Sequence, residues 1–234
     1  GILPPRTRHA LGKAPIFAIV RPMLKDAIDL SALERVLVIK LRHHGDVLLT
    51  SPVFTVLKNH APHLELDALV YRDTAEMLTL HPAIHEVHSV ERGWKKLPPH
   101  RQFAAEAALL GTLRRRNYDL VIHLTGHSRG AWIRRLCGAR LGVACARKKG
   151  RWWQTSFSHL YPLPRGNARH TVETHLDALR RIGVQPTEAE KRLVLVPGEA
   201  AEMRAAALLA EHGLEAGGFV HLHPASRWAF KGWP

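Results

Sequence analysis

A chain of 234 residues has room for one large α/β domain, or for one domain and part of a second. Its 46% apolar content supports a sizeable core and excludes a disordered tail, and two cysteines, Cys137 and Cys145, exclude a disulfide scaffold. The balance of 34 Lys and Arg against 20 Asp and Glu, a formal +14, favours an anionic partner but does not choose between nucleic acid, an acidic membrane surface and a phosphorylated substrate.

No secretory signal is visible at the start. Residues 16–33 are apolar at helical spacing, but Arg21, Pro22, Lys25, Asp26 and Asp29 interrupt them, so the stretch does not span a bilayer. With Arg6, Arg8 and Lys13 nearby, residues 1–33 read as a basic amphipathic extension that either lies on an anionic membrane face or packs on its own domain. From residue 34 strands and helices alternate. Residues 35–40 are a near-continuous apolar run, the pattern of a strand covered on both faces, and 47–60 follow as a helix. Strands are predicted at 64–71, 84–90, 119–124 and 140–146, with helices at 74–80, 101–116 and 128–136. This alternation means βαβ units and a parallel, Rossmann-like sheet. Residues 171–182 read as a helix closed by Gly183, 186–191 as a linker, 193–196 as a short strand and 200–212 as a helix. Gly217-Gly218 then introduces a strand at 219–223, as though a second domain were starting.

Three segments carry groups suited to chemistry. Lys40-Leu-Arg-His-His-Gly-Asp46 joins the first strand to the first helix, and in open α/β sheets ligands gather at the carboxyl ends of strands. Gly45 permits a tight turn, and Asp46 falls at a helix N-terminus, where it is either an ionised site carboxylate or a plain cap. The motif is not GxGxxG, so the dinucleotide fingerprint is absent. Leu124-Thr-Gly-His-Ser-Arg-Gly130 has the same strand-to-helix setting and places His127 and Arg129 on the same rim. His221-Leu-His-Pro-Ala-Ser226, continuing to Lys231, feeds a strand into a loop with hydroxyl and cationic groups, as a phosphate site needs. His221 and His223 share a strand face, but with no carboxylate or Cys beside them no metal site is expected.

The run from Val36 through Arg42-His-His-Gly-Asp46 to Pro52 resembles the opening strand and loop of the bacterial lipopolysaccharide heptosyltransferase family, closest to its type III branch. The run from Val220 through His221-Leu-His223 and Ser226 to Lys231-Gly-Trp-Pro234 resembles the same family's second signature. The resemblance covers residues 35–234 and implies a two-domain GT-B glycosyltransferase with an acceptor domain over 34–185, a linker and helix over 186–217, and the first elements of a donor domain over 218–234, the rest of that domain being absent. It implies inverting transfer of heptose from ADP-heptose to the lipopolysaccharide inner core. It also implies that neither metal nor other cofactor is required. Asp46 is then the general base, Ser226 and Lys231 contact the donor phosphates, and Arg42, His43, His127 and Arg129 face the phosphates and acidic sugars of the acceptor. The expected location is the cytoplasmic face of the inner membrane, peripherally bound to anionic lipid.

Two other readings stay open. A nucleic-acid-binding protein is suggested by the charge, by Arg114-Arg-Arg116 and by Arg147-Lys-Lys-Gly-Arg-Trp-Trp153, but no nucleic-acid motif is present and the arginine run ends a helix, where cations suit the dipole. A different sugar-nucleotide transferase of the same plan is the other, because fold does not fix substrate.

Overall fold

In the computed structural model, which describes residues 24–146, 150–163, 169–224 and 232, six strands form one parallel sheet. They are β1 (Arg35–Ile39), β2 (Glu65–Tyr71), β3 (Glu86–Val90), β4 (Leu120–His123), β5 (Leu141–Cys145) and β6 (His159–Tyr161), in the spatial order β3-β2-β1-β4-β5-β6. The helices are α1 (His44–Leu48), α2 (Ser51–His60), α3 (Pro99–Arg115), α4 (Ser128–Leu136), α5 (Arg151–Thr155), α6 (Thr171–Arg180) and α7 (Glu199–Glu211).

The two-residue period of β1 explains the layers. Val36 and Val38 face one core with Phe54 and Leu57 of α2 and Leu176 and Leu179 of α6. Leu37 and Ile39 face the other with Leu113 of α3 and Ile133 of α4. Both sides of the strand are therefore covered, which is why it reads as continuous apolar sequence rather than alternation. β1 pairs with β2 on one side and β4 on the other. The chain leaves β1 over the α2 face and arrives at β4 from α3 on the opposite face. The connections thus diverge at the carboxyl ends of β1 and β4, the position where such sheets open a crevice.

Several predicted elements differ in detail. The helix over 47–60 is two helices, with Leu49 and Thr50 between them. Pro52 has no N–H for the Leu48 carbonyl and its ring crowds that carbonyl, so the helix restarts with Pro52 in its first turn. The predicted helix at 74–80 is a 3-10 helix, Arg72–Met77, tightened by Thr74 Oγ1 donating to the Tyr71 carbonyl at 2.8 Å. Residues 193–196 and 219–223 form no strand: among the described residues neither has a ladder partner, and Val220 and Leu222 are exposed. An isolated extended segment gains no ladder hydrogen bonds and no covered face. α7 also buries no side chain. Conversely, α5 and β6 were not legible as elements; Trp153 of α5 is buried and its Nε1–H donates to the Cys145 carbonyl at 2.9 Å.

The described part of the amino-terminal extension packs on its own domain. Ile28 N–H donates to the Ile182 carbonyl at 3.0 Å, and Arg181 holds Asp26 at 2.6 Å. The helix closing at Gly183 is as expected, with Gly183 at φ +98 just beyond α6.

Gly130 shows why one helix position is fixed. It lies in the first turn of α4 against the ring of His123, which is itself buried against Trp153 and Phe157, stacked on the latter with centroids 5.9 Å apart. A methyl group there would overlap the ring. Gly130→Ala should gain up to about 1 kcal/mol of helix propensity yet lose about 1–3 kcal/mol to the overlap, for a net loss of stability. Urea unfolding would check this, and an unchanged or raised midpoint would show that the ring yields freely.

Candidate active site

The loop after β1 is pinned from three directions. Leu41 N–H donates to Thr125 Oγ1 at 3.1 Å, tying it to the loop after β4. Arg92 donates to the Arg42 carbonyl at 2.7 Å, grips Asp73 at 2.8 Å and lies 3.9 Å over the Tyr71 ring, tying it to the ends of β2 and β3. Leu124 N–H donates to the Ile39 carbonyl at 3.0 Å and extends the β1–β4 ladder by one step.

Between these loops and α6 lies a cavity of about 570 Å³. Arg42, Asp46, Thr125, His127 and Arg169 contribute to its wall and Lys40 lies at its floor. Asp46 is half-buried in the first turn of α1, whose N-cap is His43. His43, not Asp46, is the N-cap of α1, so the plain-cap reading does not describe Asp46.

Lys40 is the residue that sequence reasoning passes over. It is only 6% exposed. Its Nζ donates to the Leu124 carbonyl at 3.1 Å and to His175 Nε2 at 2.7 Å. His175 Nδ1 lies 2.9 Å from the Leu49 carbonyl, which can only accept, so Nδ1 carries the proton and Nε2 is the acceptor for the ammonium. Burial pushes Lys40 down to about 8, with the Asp46 charge pulling up and Arg42 pushing down. Burial and the Lys40 charge together push His175 down to about 3, so it is neutral at any working pH. The available signals were a lysine at the end of an apolar run and a histidine on the apolar face of α6 with Val172, Leu176 and Leu179.

The predicted acceptor residues separate. Arg42 and His127 join Asp46 at the cavity. His43 is exposed as the cap of α1 and does not line it. Arg129 points instead towards α3 and pairs with Glu106, beside a second cavity of about 620 Å³ that His127 also touches. Ser226 and Lys231 lie outside the described residues, as do Arg147, Trp228, Phe230 and Trp233. Arg116 is not an open patch cation: it holds Asp67 at 2.8 Å and Glu65 at 2.9 Å.

Asp67, Glu86 and His88 bring ligand atoms within 4.8 Å of one another. They make a poor cation site. Burial raises the Asp67 carboxyl, but hydrogen bonds from His88, Arg116 and Tyr118 outweigh it and hold the group well below the usual carboxylate range. A guanidinium already neutralises the charge a metal would need, and the trio lies towards the amino ends of the strands.

The sequence profile of glycosyltransferase family 9 (heptosyltransferase) matches residues 107–234. Lipopolysaccharide heptosyltransferase 3 of Escherichia coli is 31% identical over 195 residues, covering 82% of this chain and 55% of that protein. Among solved structures, a family 9 glycosyltransferase from Veillonella parvula superposes with a TM-score of 0.68 at 22% identity, covering 81% of this chain and 52% of that one. The E. coli heptosyltransferase WaaC, solved with ADP-2-deoxy-2-fluoro heptose, superposes with a TM-score of 0.56 at 24% identity, covering 66% and 50%. The structural likenesses establish a shared fold. The chain spans about half the length of the curated relatives it matches.

The bond between the two rim loops can be tested without any substrate. Thr125→Val keeps the shape of a buried side chain but removes the acceptor for Leu41 N–H, and a buried donor left unpaired costs about 1–3 kcal/mol. The denaturation midpoint should fall accordingly and return with Thr125→Ser. An unchanged midpoint in the valine variant would mean the loops are held by other contacts.

Proposed function

The chain belongs to glycosyltransferase family 9, and from that premise we propose that it supplies the acceptor side of an inverting transferase that moves heptose from ADP-heptose to the heptose region of the lipopolysaccharide inner core. The observation that carries the reading is Asp46, a carboxylate at the cavity wall where the β1 and β4 connections diverge, with Arg42 and His127 beside it. The identity to a lipopolysaccharide heptosyltransferase 3, and the presence of an ADP-heptose analogue in WaaC, support the choice of substrates.

In this reading an acceptor hydroxyl attacks the anomeric carbon of the heptose from the face opposite the diphosphate. Asp46 takes the hydroxyl proton as the new C–O bond forms, and the bond from the anomeric carbon to the ADP oxygen breaks. Negative charge develops on that oxygen. Lys231 and Ser226, assigned by the likeness of their motif, would stabilise it with no metal or other cofactor. The acceptor part spans 34–185, the linker and helix 186–217, and the donor part begins at 218. Arg42, His127 and, from its neighbouring cavity, Arg129 would meet acidic groups of the acceptor, with His43 nearer the rim.

The charge of +14 and the basic residues before Leu24 support peripheral attachment to the cytoplasmic face of the inner membrane. No helix among the described residues is long and apolar enough to cross a membrane. A different sugar nucleotide on the same framework is the alternative, and a donor screen separates it.

In a two-domain enzyme that includes these residues, Asp46→Asn should lower kcat for heptosyl transfer about 10²-fold or more, read by mass spectrometry as one heptose added to a core oligosaccharide. Near-normal turnover would remove Asp46 from the role of base, and transfer of a different sugar in its place would point to the alternative donor. Vesicle flotation should show the chain on anionic but not zwitterionic lipid, with binding that fades as salt rises. Equal binding to both would leave the charge without a membrane role.

A further inference from the structure

A buried ammonium at the floor of a polar cavity is expensive, because burial disfavours its charged form. Lys40 offsets that cost with two fixed acceptors, the Leu124 carbonyl and the neutral Nε2 of His175. An ammonium has three N–H donors, and these two acceptors leave one over. Lys40 also lines the cavity shared by Arg42, Asp46 and Thr125. His175 is held from behind by the Leu49 carbonyl, at the break between α1 and α2, so the group that grips Lys40 does not swing away.

We propose that Lys40 is a specificity-determining residue that binds an acidic oxygen group, a phosphate or a sugar carboxylate, at the floor of this cavity, with His175 as the residue that positions it. The inference rests on reading the cavity as the acceptor site and adds the group that selects an acidic acceptor over a neutral one. Asp46 stands at the same cavity, so the acidic group binds at the Lys40 end and leaves the carboxylate to the reacting hydroxyl.

The charges facing Lys40 come from every element around it. Asp46 of α1 and Cys145 of β5 favour its protonated form, and Arg42 opposes it. His175 of α6 contributes no charge. Tyr161 of β6 is held neutral by burial, and Arg169 is engaged by Asp177 at 2.6 Å and by Glu173 at 3.4 Å. His127 completes the wall from the loop after β4. Lys40 is therefore the lysine at this cavity that changes charge near pH 8.

An anion that binds the protonated form must raise the pH at which Lys40 loses its proton. Its affinity should stay level below about 8 and fall about tenfold per pH unit above it, until the shifted value is passed. The test is a 13C NMR titration of the lysine ε-carbons of this chain, with and without sulfate, which keeps its charge across the range. A parallel arm uses gluconate, so that a tetrahedral anion and a sugar carboxylate are compared. The lysine that titrates lowest should move to higher pH with at least one of the two, and the arm that moves it further identifies the group. Lys40→Met should remove that resonance and weaken the anion about tenfold or more at neutral pH. His175→Leu should leave the anion bound but displace the Lys40 titration. If neither anion moves the lowest-titrating lysine of the wild-type chain, the proposal is overturned, whether or not the methionine variant folds. The readout needs no heptose transfer: a shift without transfer by a two-domain enzyme that includes these residues would keep the anion site and remove the heptosyltransferase reading, and transfer by that enzyme without a shift would do the reverse.

Discussion

The divergence of chain connections between β1 and β4 governs the rest of this molecule. Every strand of a parallel sheet must be covered on both faces, and the covering helices arrive by crossovers. β1 leads to α2 on one face, and α3 delivers the chain to β4 from the other. Among the described residues no crossover roofs the carboxyl ends of these two central strands, so polar groups there line a cavity. Lys40, Asp46, Thr125 and His127 all follow from the ends of β1 and β4, and the side is closed by α6, folding back after β6, together with Cys145 and Tyr161.

The two ends of the sheet treat buried charge in opposite ways. Towards the amino ends, Asp67 is saturated by Arg116, Tyr118 and His88, and the network ties the end of α3 to β2 and β3. Such a cluster fixes geometry and offers nothing to a ligand. At the carboxyl ends, Lys40 has two acceptors and an open cavity, and Asp46 is half-buried beside it. Perturbed titration beside a cavity is the pattern of a working site, whereas perturbed titration inside a closed network is the pattern of a structural one. Glu106 engages the guanidinium of Arg129 beside the neighbouring cavity, away from the one that Arg42 and Asp46 share.

Among the described residues beyond Val184 little is buried. α7 has no buried side chain, and Leu193, Leu195, Val220 and Leu222 are all substantially exposed. Polar contacts hold this region: Asn59 donates to Glu190 at 3.0 Å, Lys191 pairs with Glu173 at 2.7 Å, and Val194 N–H donates to Ser51 Oγ at 3.0 Å. Extended apolar residues without a neighbouring strand have neither ladder nor covered face.

The sequence by itself determined the sheet and its rim. The apolar run of β1, the helix–strand alternation and the close at Gly183 are local patterns, and they were legible because side-chain period and backbone freedom act over a few residues. Asp46, Arg42 and His127 were legible as well, since the turn between a strand and a helix has a known place in such folds. What the tertiary structure alone decided was which of these groups meet. Arg129 and His127 are two residues apart, yet the first turns to Glu106 and only the second reaches the cavity that holds Asp46. α5 and β6 were hidden because they are short and are stabilised by contacts with β5. Lys40 and His175 were hidden for the same kind of reason: they are 135 residues apart, and a hydrogen bond across that separation has no signature in the spacing of either one.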